Sequence, residues 1–452
     1  MAFALVDAAL HDGRPEVRAE GLWAADRACM LSRSAPRRLV WNLRAAAVDE
    51  ASVVAMSSLL GRVGSVAAPV ADILAALAGR NPDHDDDHAD RALAALVLIA
   101  PDQSAPLLAA GLGRRPRALD AASELQSPES SAFPYNGELL DAVRGRLARP
   151  EALSGNEPWQ LTNLLAGWGS EAAPALPELC AALHHFPGQA AQALASVAAH
   201  CAPADRARAI TSLRAVAAEL GDLSVTKALH DLDGEIAPLL HCLEQALRPG
   251  FHALGEAASI AAELGPRAAE LEPALRQALS GTAPALDADT ALAEALWRVT
   301  ADADAVVAVL DSVFARAEQN PWSRWSVVRA ARVMVLLGPA GRALAARLEA
   351  ALDDPAQAPA AVLALTAVGE PASLDRTALA EAALRSAESD ADPEGACDAL
   401  EALGPHTLTG GQTRRLAALA NGDARVVRSG VEDRIIGQDE AFRHRARVLL
   451  TA

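Results

Sequence analysis

The densest run of potential ligands in this 452-residue chain is Asp83-His84-Asp85-Asp86-Asp87-His88. Carboxylates and imidazoles are the donors that a hard or borderline divalent cation takes. A metal needs ligands that converge, whereas neighbours along an extended loop diverge, and this run leads into a helical pattern near Ala89. Its aspartates are therefore expected to cap free N–H groups at a helix start, where the helix dipole also favours them. Cys180, His184 and His185 lie one turn apart, and His200-Cys201 ends the next helical stretch. Zinc would require two such groups to face each other. Cys180 follows Pro177-Glu-Leu in an apolar stripe, so core packing is the expectation. His230, His241 and Cys242 read the same way. No GxSxG, P-loop or dinucleotide-type glycine fingerprint is present. Gly250-Phe-His-Ala-Leu-Gly255 and Thr409-Gly-Gly411 read as helix connectors. No catalytic residue, metal or cofactor is assigned.

Recognition chemistry is better represented. Asn320-Pro-Trp-Ser-Arg-Trp325 opens a helical stretch, and Trp297 lies on the one before the preceding helix turns back. Tryptophan and arginine are the side chains most enriched at interaction hot spots. Trp297, Trp322, Arg324 and Trp325 are thus the candidate partner-binding residues. The structural alternative is that Trp322 staples the helix start while Trp325 packs between repeats. Trp159 and Trp168 pose the same question on an earlier helix. Arg33, Arg37, Arg38 and Arg44, with Arg114, Arg115 and Arg117, would suit phosphate recognition if they formed one stripe with interleaved aromatics. Trp41 is the aromatic nearby, and a solvated face or pairing with acidic helices is the expectation.

The elements that position these residues are helices. Alanine makes up roughly a quarter of the chain, aromatics 3% with one tyrosine, and isoleucines number about seven. Strand formers are therefore scarce, while the strongest helix formers dominate. Hydrophobic residues at 51% against 22% charged exclude a disordered chain. The charge-free apolar stretch Ala92 to Pro101 falls short of the ~18 residues a membrane span requires. The first residues, Met1-Ala-Phe-Ala-Leu-Val-Asp7, lack the basic start of a secretory signal. Five scattered cysteines without a CxxC fit a reducing, cytoplasmic setting.

The net charge of −18 is uneven: about −3 over residues 1–150, about −13 over 151–320 and about −2 over 321–452. Such a field disfavours nucleic acid and anionic membranes, and suits a basic protein partner on the middle.

Internal repetition is the strongest signal. Leu264-Gly-Pro-Arg-Ala-Ala-Glu-Leu-Glu-Pro-Ala-Leu-Arg-Gln-Ala-Leu279 parallels Leu337-Gly-Pro-Ala-Gly-Arg-Ala-Leu-Ala-Ala-Arg-Leu-Glu-Ala-Ala-Leu352. Weaker copies begin at Leu60-Gly-Arg-Val-Gly, Trp168-Gly-Ser-Glu-Ala, Val368-Gly-Glu-Pro and Leu403-Gly-Pro-His. Each has a leucine-rich helix, a Gly or Gly-Pro break and a second helix. The glycine is expected to form a left-handed C-cap, and a later proline such as Pro69, Pro174, Pro238 or Pro273 to enter the first turn of the second helix. The period is about 35 residues, which gives roughly eleven to thirteen helix pairs.

Asp12-Gly-Arg-Pro-Glu-Val-Arg18 and, without the proline, Asp423-Ala-Arg-Val-Val-Arg428 add an Asp…Pro-x-Val-Arg opening. With this motif the chain resembles HEAT repeats, particularly the short HEAT-like repeats of the phycobilisome-lyase type. The resemblance implies one right-handed all-α solenoid over 1–452; Pro150 to Pro158, where the acidic body begins, suggests a softer joint near 150–158, and the charged last segment a C-terminal cap at 423–452. That family includes scaffolds, lyases, hydroxylases and DNA-repair enzymes, so the fold does not fix the function. Its iron-dependent hydroxylases carry paired His-Glu dipeptides, and this sequence has none. Its alkylpurine glycosylases hold a basic groove, which −18 and a single lysine, Lys227, do not favour. The expectation is a non-catalytic scaffold that binds a protein or peptide on a concave face formed by the second helices. A small-molecule or tetrapyrrole-handling lyase-like protein and a nucleic-acid binder using the arginine-rich ends are the alternatives.

Overall fold

The computed structural model describes residues 2–46, 50–80, 86–126, 133–248, 253–280, 286–320, 323–369, 374–428 and 434–451. All regular structure among them is helical, as helix pairs stacked in chain order. Contacts group the chain into two units, Met1–Leu239 and Leu240–Ala452.

The first helix of each pair carries the stack. Numbering only these, the first unit has α1 (Pro15–Leu31), α2 (Glu50–Val63), α3 (Asp87–Ile99), α4 (Pro116–Glu124), α5 (Glu157–Trp168), α6 (Pro187–Ala198) and α7 (Leu223–Asp233). The second has α8 (Leu254–Leu264), α9 (Leu286–Thr300), α10 (Arg324–Leu337), α11 (Ala358–Val368), α12 (Pro393–Leu403) and α13 (Ile435–Thr451). Within each unit every first helix packs directly on the next, while its own second helix covers another side. A helix enclosed from three sides must be apolar nearly all round, which is what the alanine supplies. In α11, Ala358, Ala360, Ala361 and Ala364 are buried alongside Val362, Leu365 and Val368. Small side chains let the axes approach, and leucines on the second helices, such as Leu275, Leu310 and Leu348, fill the remaining space.

Neighbouring first helices run parallel. The end of α8 at Gly265 lies against the Arg298 carbonyl near the end of α9, and the end of α10 at Gly338 faces the Ala367 carbonyl near the end of α11. These two glycines also show what the Leu-Gly-Pro signature does. Their φ/ψ values are 57/−134° and 55/−138°. The expected left-handed cap occurs instead at Gly221 and Gly234. The repeat glycines occupy a region closed to other residues, and the chain folds back at once into the seven-residue 3-10 turns Gly265–Leu271 and Gly338–Leu344. In the copy at Leu60, the turn falls at Gly64, while Gly61 stays helical with its Cα facing Ala95.

The helical run Ser52–Ala78 is long and apolar enough to cross a membrane by composition, yet half of that stretch is buried inside the protein. It packs on α1 and α3, and Arg62 within it is paired with Asp26 at 2.5 Å. It reads as core.

Asp and Arg side chains near several helix starts act as clamps. Arg18 donates to the Asp12 and Gly13 carbonyls, at 3.0 and 3.1 Å. Arg14 pulls the half-buried Asp12 carboxyl down to about 2. In the first turn of α3, Asp90 accepts the Arg117 and Ala118 amides, each at 3.0 Å, and so caps the next first helix, α4. A deeper version joins α13 to the segment 425–427. Asp439 on α13 accepts the Val426 and Val427 amides on one oxygen, and Arg425 and Arg443 on the other at 3.1 and 2.9 Å. All three charged side chains are at most 1% exposed. Arg443 also donates to the Leu419, Gly422 and Ala424 carbonyls.

Candidate interaction surface

Helix α10 turns Val327, Val328, Ala330, Ala331, Val333, Met334 and Leu337 into the core. Its outward face carries Trp325, Arg329, Arg332 and Leu336, all exposed. Their i, i+4, i+7, i+11 spacing places them in one line along the helix. Trp325 is 55% exposed, and Val335 and Leu336 are exposed at the other end. The Arg324 guanidinium lies 5.8 Å from the Trp325 ring centre, a cation–π distance. Of the four expected site residues, Arg324 and Trp325 are thus brought together at the start of α10. Trp297 is half-buried near the end of α9. Because α9 and α10 pack as neighbours in the parallel stack, Trp297 belongs to the opposite end from Trp325. Trp322 lies outside the described residues.

Three further tryptophans, Trp23, Trp41 and Trp159, are also exposed. Trp168 is not: its Nε1 donates to the Phe133 carbonyl at 3.1 Å, and Tyr135 meets its ring edge-on at 5.8 Å. Thus the 127–137 insertion docks through Phe133 and Tyr135 onto the end of α5; its residues 127–132 lie outside the described ones.

The N-terminal arginines are largely committed to the protein itself. Arg44 forks onto Asp72 at 2.9 and 3.0 Å. Arg115 is buried against the Arg80 carbonyl, and Arg117 reaches Asp87 at 3.1 Å. Arg38 stacks 5.1 Å from the Phe3 ring centre. Arg33 and Arg114 have interactions of their own. Asp72, beside Arg44, and Asp87, beside Arg91 and Arg117, sit below the usual carboxylate range. The second unit repeats the device, with Arg276 on Asp302, Arg347 on Asp311 and Glu318, and Arg415 on Glu381 and Glu388.

Asp83, His84 and Asp85 fall outside the described residues, but Asp86 caps α3 by accepting the His88 and Ala89 amides. Among the described residues no three His, Cys, Asp or Glu side chains converge as metal ligands would. Burial pushes the Cys397 thiol up to about 12, which leaves it protonated at neutral pH. A groove of ≈ 490 Å³ between the helices Arg376–Ser389 and Gly410–Asn421 is lined by Asp375, Glu381, Thr409, Gln412 and Arg415 among others. Asp375 and Thr409 already cap those helices, and Arg415 is already paired.

No family model matches the chain, and no curated protein matches it. Solved structures align along most of its length at low similarity. An engineered protein aligns at 15% identity over 100% of this chain and 99% of its own, with a TM-score of 0.33. A chain from the structure of Naa15/Naa10 bound to HypK-THB aligns at 15% identity over 99% and 73%, with a TM-score of 0.39. Importin beta aligns at 14% identity over 93% and 62%, with a TM-score of 0.35. At such scores the fold rests on the chain's own helix packing.

Arg329, Arg332 and Leu336 escaped the sequence reading of the site. The signal for them was a run without any acid: Arg324 to Arg347 holds five arginines and no Asp or Glu.

Proposed function

We propose that the chain is a non-catalytic, cytoplasmic scaffold of HEAT-like repeats that binds a protein partner through exposed faces of its stacked helices. One observation carries this reading. Trp325 stays 55% exposed on a helix whose core-facing side is already filled by valine, alanine and methionine. Leaving so large an apolar side chain in water costs solubility, while at an interface it supplies much of the binding energy. Affinity capture by the full chain, washed at low and then high salt, tests it. A stoichiometric protein that is lost from Trp325→Ala supports the scaffold. Nucleic acid alone, released by salt, contradicts it.

A second reading applies to the acidic middle. Glu244, Glu256, Glu270 and Asp304 are all exposed on the second unit, and a basic partner is the electrostatic match for such carboxylates. Capture of a basic protein whose retention survives Trp325→Ala but falls on neutralising these carboxylates supports that surface.

A further inference from the structure

We infer that the outward face of α10 docks an acidic amphipathic segment of about three helical turns. The inference rests on the scaffold reading and names the partner chemistry of one of its faces. The line Trp325, Arg329, Arg332, Leu336 is apolar at both ends and cationic between them. Eleven residues along a helix span about 16 Å, so a complementary helix would place apolar side chains at either end and carboxylates in the middle. Arg324 adds a further positive charge beside Trp325.

Charge decides the occupant. The chain as a whole is strongly acidic at −18, yet α10 contributes three arginines and no acid. The outward residues of two other first helices differ in sign: α8 presents Glu256 and Glu263, and α12 presents Glu394 beside Asp398 and Glu401, which pair with Arg445. A basic partner, the match for the acidic middle, would meet like charge here. An acidic partner gains from the local field, while the acidic surface elsewhere steers it away from other landing points. Guanidinium groups also take carboxylates in bidentate fashion, which fixes register as well as affinity.

The test uses the full chain and a labelled synthetic 16-residue helical peptide carrying leucines at i and i+11 and glutamates at i+4 and i+7 of one face. Its control is the same peptide with every glutamate replaced by lysine. Fluorescence anisotropy at low and high salt should show the glutamate peptide binding, weakened at least tenfold by Arg332→Glu and by Trp325→Ala. The lysine peptide should bind Arg332→Glu better than it binds wild type, a rescue that a merely misfolded variant would not give. Equal binding of the two peptides, no binding of either, or glutamate-peptide binding unchanged in both variants overturns the inference. Displacement of the peptide by phosphatidylserine vesicles at lower concentration than by unlabelled peptide also overturns it, in favour of a lipid surface. A captured protein partner that depends on Trp325 while the glutamate peptide fails leaves the scaffold reading standing and removes only the acidic occupant.

Discussion

Asp439→Ala is the sharpest test of how the end of the second unit is held. The carboxylate is fully buried, with Arg425 and Arg443 buried around it, and its two oxygens serve four donors. Its removal leaves two cations without their shared anion. Breaking a buried pair by deleting one partner costs about 3–5 kcal/mol. Arg443 keeps three carbonyl acceptors and Arg425 keeps Glu440 at 3.8 Å, which softens the loss. The Val426 and Val427 amides lose their acceptor as well, at about 1–3 kcal/mol each if no water replaces it. These terms overlap, so we take about 4 kcal/mol. For a cooperative unit of roughly 200 residues that lowers Tm by roughly 8–16 °C. The assay pairs thermal melting with hydrogen exchange, because stacked repeats can open locally. Protection at Val426 and Val427 should fall before that of the α11 core. Arg14→Ala, which removes an exposed cation from its pair with Asp12, should leave the melt where it was. A Tm loss under about 3 °C, less than 2 kcal/mol at that size, with both amides still protected, refutes the clamp.

Three other outcomes follow from the packing. Gly338→Ala should cost about 1–3 kcal/mol from backbone strain alone, because a Cβ there has its nearest contact at an ordinary 3.9 Å; denaturant melts against Gly255→Ala, where φ is not positive, read it. Ala361→Leu should destabilise by about 1–3 kcal/mol through overpacking, since Ala361 is fully buried between neighbouring helices; calorimetry of the full chain checks it. Acid should destabilise the fold below about pH 4. Arginine partners hold Asp72, Asp87, Asp302 and Glu381 below their usual range, so their contribution is present above the unfolded pKa and disappears as pH falls through the folded one. Asp90 and Asp392 are raised by burial and work oppositely, contributing below the unfolded pKa and losing it as pH rises. Melts from pH 7 to 3 in low and high salt should show the net loss on acidification, reduced by salt where the pairs are exposed.

The helix pairs were legible because their cause is local: alanine and leucine spacing, a glycine break, a proline at the next start. The glycine's role was legible only in part. Gly265 needs a positive φ, as expected, but its ψ of −134° leads into a 3-10 turn in place of a left-handed cap. The clamps were hidden for a related reason. Asp90 and Asp439 resemble any helical acid in sequence, and their partners are chosen by packing. The stripe on α10 was lost to averaging. The segment 321–452 sums to about −2, which conceals an acid-free arginine run followed by a markedly acidic one.

The pairing of each helix with the next has a consequence for how the chain is made. Arg44 finds Asp72 28 residues on, Arg144 finds Glu178 34 on, and Arg415 reaches back 34 to Glu381. None of these three contacts waits for a distant part of the polypeptide, so closing each of these loops is inexpensive. A nascent chain emerging at ~5–20 residues per second completes each of these links within seconds of exposing the first partner. Assembly can then keep pace with synthesis, and alanine-rich faces are covered by the next repeat soon after they leave the ribosome.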